Sequence, residues 1–343
     1  MKVALLHHLS LSYVGGGEKF LLEVASFLRG RGHDVEIRSL PVNKRKEGFE
    51  PPHGVRWVEK FFHNFDADIA YFLYAPLVRN LFKTDAPVIA GMHGPPLFPE
   101  LQSHDTFSGN LVEIIRKNDF YSALEYWSTK AGVVKLDLKK FEAIHLINRA
   151  MRVEHPNTFY IPLFIDLDFY KPRSKKRKEF TVLFVGRPLR MKGFDIFTET
   201  ATLVRKRNKK IKFLATGPGN EVVEGLGFVP EEKLPELYSS VHLVMYPSRI
   251  DTFGKVILEA LACGTPVLTT PIKAHKALDL PLLYSSTPKG FAKKILNFYE
   301  RDKESRIDYQ AISRKCREAV KKYDASKILP KFENMLERVA KTN

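Results

Sequence analysis

Two doubly wound α/β domains, each built on a parallel sheet, are what this sequence predicts, and three observations predict them. Apolar runs of strand length alternate with helical patterns from end to end. At 343 residues the chain exceeds one ordinary core and suits two of about 150 residues each. Each half opens with a strand, a glycine-bearing turn and a helix.

Taken in order, the first unit is a strand over Lys2 to Leu6, a loop ending in Gly15-Gly16-Gly17, and a helix from Glu18 to Gly30. Gly32 serves as the helix stop, and Val35 to Leu40 is the second strand. Short strands follow at Ile69 to Leu73 and Val88 to Gly91, then at Ala143 to Ile147 and Thr158 to Ile161. A second series starts with Phe180 to Val185, a helix from Phe194 to Arg207 and a strand from Lys212 to Thr216. Val241 to Tyr246 reads as a strand, Val256 to Cys263 as a helix and Pro266 to Thr269 as a strand. The basic, proline-containing Lys171 to Lys178 reads as a linker. Ile328, Leu329, Phe332, Leu336 and Val339 recur at helical spacing in the closing stretch, Lys327 to Lys341. The expected domains are therefore 1–165 and 166–326, with a last helix over 327–343.

The apolar share, 44%, is that of a soluble globular protein, and no apolar run approaches the ~18 residues a bilayer demands. Only Val3-Ala4-Leu5-Leu6 is apolar before His7 and His8, far short of a signal-peptide core. Cys263 and Cys316 lie far apart with no CxxC, which argues against a disulfide framework or a zinc site. The cytoplasm is the expected compartment. Of the net charge of +16, residues 166–343 carry +14, from 35 basic and 21 acidic groups. Solvated helix faces explain such charge, and so does attraction to a nucleoside diphosphate or to anionic lipid. Nucleic acid is disfavoured, because no recognised binding module accompanies the charge.

Two segments carry chemistry. Val185-Gly186-Arg187-Pro188-Leu189-Arg190-Met191-Lys192-Gly193 follows a strand and opens a helix, so glycine lets backbone approach an anion at the helix N-terminus. Arg187 supplies a fork and Lys192 a point charge suited to a diphosphate. Read alone, the segment is equally an ordinary strand–helix turn, and no Walker A loop occurs anywhere. The second segment runs from Tyr246 through Asp251-Thr252-Phe253-Gly254 to Glu259. Asp251 falls in a strand–helix loop, and Glu259 lies roughly 7 Å along the helix from Gly254. A carboxylate flanked by Leu258, Ala260 and Leu261 needs partners, whether structural or a ligand's hydroxyls.

Together GRxxxxKG, ATGPG at 215–219, GFVP at 227–230 and DTFGKVILEALACGTPV at 251–267 resemble the donor-binding domain of family 4 glycosyltransferases. The likeness is strong over roughly 180–270, and weaker at Gly15-Gly16-Gly17-Glu18 and Ile165 to Pro172. It implies a GT-B fold, with two Rossmann-like domains facing across a cleft, and a last helix crossing back to the first. It implies a retaining transfer from a nucleoside-diphosphate sugar to a glycan, lipid-linked or other hydroxyl acceptor, with neither cofactor nor metal. Arg187 and Lys192, beside Gly186, would hold the diphosphate, and Glu259 the ribose. Asp251 and the amides of Thr252, Phe253 and Gly254 would hold the transferred sugar. Gly16 and Gly17 would approach the phosphates from the other domain. His93, in Gly91-Met-His-Gly-Pro-Pro, matches an active-site histidine of the family. One departure stands out: the family pairs two glutamates eight positions apart, and Asp251 occupies the first position. A non-catalytic nucleotide-sugar-binding protein and a GT-B nucleotide-sugar epimerase are the competing readings.

Asp66-Ala67-Asp68 and Asp166-Leu167-Asp168 read DxD, but their placement at a strand start and in the interdomain segment speaks against metal binding. His7 and His8, adjacent on a strand, are expected to face opposite ways. Residues 98–132 mix Phe107, Phe120, Tyr121, Tyr126 and Trp127 with Arg116, Lys117 and Lys130. That stretch fits either a helix packed on its own domain or an element touching an anionic membrane surface.

Overall fold

The computed structural model describes residues 1–13, 15–42, 49–94 and 138–342, so the stretch at 98–132 lies outside the described residues. The chain divides into two compact units: described residues up to Leu163 together with those from Lys327 onward, and Phe164–Ser326.

In the first unit the strands are β1 (Lys2–His7), β2 (Asp34–Ser39), β3 (Arg56–Glu59), β4 (His63–Asn64), β5 (Ile69–Leu73), β6 (Phe82–Lys83), β7 (Val88–Met92), β8 (Ala143–Leu146) and β9 (Thr158–Tyr160). Seven of them form a sheet in the order β3-β2-β1-β5-β7-β8-β9, and β4 pairs with β6 separately. Pairing is parallel throughout. The central strands β5, β7 and β8 are buried at every residue, which explains the apolar runs of β5 and β7; β8 carries one buried polar residue, His145. Helix α1 (Gly16–Gly30) buries Phe20, Leu21, Val24, Ala25 and Leu28 at helical spacing. Its start is fastened by Glu18, whose carboxylate accepts from the Gly15 amide at 2.7 Å. Gly32, at φ 87°, turns the chain out of the helix where a side chain would be strained.

The second unit holds β10 (Thr181–Phe184), β11 (Lys212–Ala215), β12 (Glu224–Gly225), β13 (Leu243–Tyr246), β14 (Val267–Thr269) and β15 (Leu283–Tyr284). They form a parallel sheet in the order β12-β11-β10-β13-β14-β15. Its helices are α2 (Phe194–Arg207), α3 (Leu234–Ser240), α4 (Lys255–Ala262), α5 (Lys273–Lys276), α6 (Pro288–Lys303) and α7 (Tyr309–Val320). Phe184, Phe197, Phe213 and Phe291 form the centre of a core under α2 and α6. From β10 the chain moves to β11 on one side and later to β13 on the other. The β10 and β13 carboxyl ends therefore flank a topological switch point, where open α/β sheets bind ligands.

The closing helix α8 (Ala325–Ala340) starts in the second unit and packs in the first. Phe332 meets Tyr71 and Phe20 edge-on, with ring centroids 4.8 and 5.7 Å away. Glu333 accepts from Arg31 at 3.2 Å and meets His33 Nε2 at 2.9 Å. Among the described residues no helix is long and apolar enough to cross a membrane.

Candidate active site

The loops after β10 and β13 are sewn together at the switch point of the second unit. Gly193 makes this possible: at φ 76°, a Cβ there would lie 2.0 Å from the Pro247 carbonyl oxygen. The amides of Arg249 and Ile250 donate to the Met191 carbonyl at 3.0 and 3.3 Å. The Arg249 guanidinium forks onto Asp195 at 2.6 and 2.7 Å and reaches the Arg190 carbonyl. Lys192 and Asp251, 59 positions apart in sequence, are thereby brought face to face. Nζ lies 3.6 Å from Asp251 Oδ2, and donates to Tyr246 Oη and the Ile250 carbonyl, each at 3.3 Å.

Asp251 is buried, and nearly all its lone pairs are directed to named groups. Oδ2 accepts from Tyr246 Oη at 2.5 Å and lies 3.7 Å from His275 Nε2. Oδ1 accepts from the Thr252 and Phe253 amides at 2.9 and 3.3 Å. Burial alone would raise its pKa, but the Lys192 charge, then His275 and the Tyr246 hydroxyl, hold the carboxyl well below the usual range. Tyr246 shifts the other way, upward, through burial and the Asp251 charge, and so keeps the proton it donates. The sequence reading offered the amides of Thr252 and Phe253 to a sugar; the structure turns both back to Asp251, whose short side chain reaches its own loop. Gly254, at φ 94°, caps α4 in a left-handed turn.

Glu259 lies on the inner side of α4 and accepts from Tyr238 Oη at 2.7 Å. Tyr238 is fully buried, and burial together with the Glu259 charge raises its pKa well above 10. Arg187 stands exposed on the loop, and the Gly186 amide donates to Thr216 Oγ1 at 3.0 Å. The motifs at 215–219 and 227–230 meet backbone to backbone: Gly217 and Gly227 exchange hydrogen bonds of 2.8 and 3.0 Å. A Cβ at Gly225 would lie 2.1 Å from the Gly219 nitrogen. Lys192, Asp251, Gly254 and Glu259 thus gather on the β10 and β13 loops and α4, whereas Gly16, Gly17 and His93 belong to the first unit.

In that first unit, Gly16 and Gly17 open α1, where unsatisfied amides favour an anion. His93 follows β7, and its Nε2 lies 2.9 Å from Tyr71 Oη. His7 and His8 depart from the expected alternation. The ladder ends at His7, so the next ring swings to a centroid distance of 4.7 Å, edge-on. His7 Nε2 meets Glu18 Oε1 at 2.5 Å, a contact no spacing rule announces. Both DxD pairs have structural work. Asp68 accepts from the Lys2 amide at 2.7 Å and Asp66 pairs with the Lys2 ammonium. Asp166 accepts from the Asp168 and Phe169 amides at 2.8 and 2.9 Å. Among the described residues, His33, Glu333 and Glu337 place ligand atoms within 4.8 Å of one another, but Arg31 already neutralises Glu333. The sequence reading missed Tyr238, Tyr246 and His275. Tyr246, ending β13 five positions before Asp251, was the one hint; Tyr238 in α3 and His275 in α5 carry none.

Residues 179–301 match the family described as Glycosyl transferases group 1. A D-inositol 3-phosphate glycosyltransferase of Paenarthrobacter aurescens is 32% identical over 32% of this chain and 34% of its own length. The chain thus spans about a third of the length of the first curated relatives it matches. Sucrose-phosphate synthase from Thermosynechococcus elongatus superposes with a TM-score of 0.73 at 15% identity, covering 100% of both chains. Anabaena HepE in complex with UDP and glucose gives 0.68 at 15% identity, covering 98% of this chain and 99% of its own. The chain therefore has the two-domain GT-B fold of these structures, and the stretch that matches glycosyl transferases group 1 lies within its second unit.

Proposed function

We propose that the chain is a retaining glycosyltransferase that moves a sugar from a nucleoside-diphosphate sugar to a hydroxyl acceptor on a glycan or lipid-linked carrier. The observation that carries this reading is the Lys192–Asp251 pair, built at the switch point inside the stretch that matches group 1. Arg187 and Lys192 take the diphosphate. The Lys192 ammonium has three protons, enough for Tyr246 Oη, the Ile250 carbonyl and a phosphate oxygen. Glu259, oriented by Tyr238, takes the ribose diol. Asp251 anchors the 252–254 turn and holds Lys192 and Tyr246 in place beside the sugar's hydroxyls.

The acceptor oxygen bonds to the anomeric carbon on the face the diphosphate leaves, as the carbon–phosphate-oxygen bond breaks. The acceptor's proton passes to the departing phosphate. Positive charge on Arg187 and Lys192 offsets the charge that builds on the leaving group, the largest contribution such a site supplies. Holding the acceptor on that same face of the anomeric carbon supplies much of the rest. The reaction is placed in the cytoplasm, without metal, and at an anionic membrane surface where the acceptor is lipid-linked.

Incubation with labelled UDP-, GDP- and ADP-sugars and a panel of hydroxyl acceptors tests this. Transfer with retained anomeric configuration, abolished by Lys192→Ala and Glu259→Ala in folded protein, supports it. Nucleotide binding without turnover would instead identify a binding protein, and an isomerised donor an epimerase. Sedimentation with anionic liposomes tests the membrane surface: salt-sensitive binding supports it, and none rejects it.

A further inference from the structure

A chain of buried polar groups crosses three strands of the first sheet and ends on His93. Tyr71 on β5 reaches across Gly91 on β7 to His145 on β8. Gly91 sits in register between Leu73 and His145. The crossing needs a glycine there, because a Cβ on Gly91 would lie 2.0 Å from Tyr71 Oη. Tyr71 Oη meets His145 Nδ1 at 2.6 Å and His93 Nε2 at 2.9 Å, and His145 Nε2 meets the Ile161 carbonyl at 2.7 Å.

The proton positions follow from one end of this chain. The Ile161 carbonyl can only accept, so His145 Nε2 carries a hydrogen. In the neutral ring Nδ1 is then bare and accepts the one hydrogen of Tyr71. With that hydrogen spent, the Tyr71 oxygen must accept, and His93 Nε2 must donate. We infer that Tyr71 and His145 are positioning residues that lock His93 in its Nε2–H tautomer, with Nδ1 able only to accept.

Neutrality of both rings is supported independently. Burial lowers His145 to about 4 against the pull of the Ile161 carbonyl. His93 is lowered by burial first, then by His145 and His7. An acceptor-only Nδ1 suits a hydroxyl of sugar or acceptor and repels a carbonyl. This consequence rests on the reading of His93 as a group that meets substrate; the tautomer itself does not.

Long-range proton–nitrogen NMR of the full chain labelled with 15N-histidine reads the tautomer without any need for turnover. His93 is assigned by its loss in His93→Gln. The expected spectrum shows Nε2 as the protonated nitrogen and Nδ1 as the bare one. Tyr71→Phe, which removes only the hydroxyl, is expected to give a mixture of the two tautomers. Gly91→Ala, which drives its methyl into that hydroxyl, is expected to do the same with both rings retained. Protonated Nδ1 in the unaltered protein, or an unchanged His93 pattern in both variants, overturns the inference. Failure of sugar transfer alongside the expected spectra would fall on the proposed function and leave the relay standing.

Discussion

Lys192 Nζ stands 3.6 Å from Asp251 Oδ2, joining two loops that leave adjacent parallel strands. Neither side chain is fully enclosed, with 23% and 12% of their side-chain surfaces exposed, so the pair is semi-buried and its energetics lie between surface and core. Replacing Lys192 by Ala leaves the carboxylate with hydrogen bonds but no cation beside it. The expected loss is roughly 2 kcal/mol, below the 3–5 of a fully buried pair. Urea unfolding measures it. In the double variant with Asp251→Asn, a cost equal to the sum of the single costs would show that the two are not coupled.

Asp251 also sets an acid limit. Its folded-state pKa is depressed by Lys192 against the effect of burial. Its stabilisation is therefore complete above the unfolded value of about 4 and is lost as pH falls further, toward the folded value. Unfolding free energies at pH 6 and pH 3 are expected to differ less in Asp251→Asn than in the unaltered protein. Equal differences would remove Asp251 from the account.

Two buried imidazoles act at milder pH. His145 and His242 are each lowered to about 4, chiefly by burial. The unfolded chain takes up protons at about 6.5, before the folded one does, so stability falls as pH drops from about 6.5 to about 4. His242 Nδ1 accepts from the Thr181 amide at 3.0 Å, so His242→Asn is expected to flatten part of this slope. A slope unchanged by the substitution would rule His242 out as its source.

Two glycines separate backbone strain from open space. Gly193→Ala adds a methyl 2.0 Å from the Pro247 carbonyl at φ 76°, and is expected to cost about 2–3 kcal/mol. Gly16→Ala meets nothing within 4 Å and is expected to change stability by no more than about 0.5 kcal/mol. Thermal unfolding of both variants checks the contrast; equal shifts would contradict it.

Phe332→Ala removes a buried ring from between Phe20 and Tyr71, with an expected cost of about 3–5 kcal/mol. Calorimetry should show the first unit's transition moving down, and an unshifted transition would mean that α8 is not part of its core.

Most strands and helices were legible because parallel strands buried on both faces are apolar over most of their length, as β5 and β7 are. Helix Phe194–Arg207 was readable to its ends, since a left-handed glycine precedes it and basic residues close it. The edge strand Arg56–Glu59 was not, because it is half exposed and carries charge at both ends. Lys192, Asp251 and Glu259 were visible as an ordered motif. Their partners were not, because hydrogen bonds from Tyr238, Tyr246 and His275 arise when separate strands and helices converge, and periodicity is silent about that. The same holds for Tyr71 and His145, 74 positions apart and joined only by strand order.

The return of α8 to the first unit has a consequence for how the polypeptide is made. Phe20 and Tyr71 are synthesised early, but the helix that shields them begins its packing only at Lys327. During translation the whole of the second unit emerges while that apolar face of α1 and β5 waits uncovered. The second unit, continuous from Phe164 to Ser326, can close its own core first. The first unit's core is thus complete only after the second unit has been synthesised, which leaves the nascent first unit open to aggregation and chaperone capture.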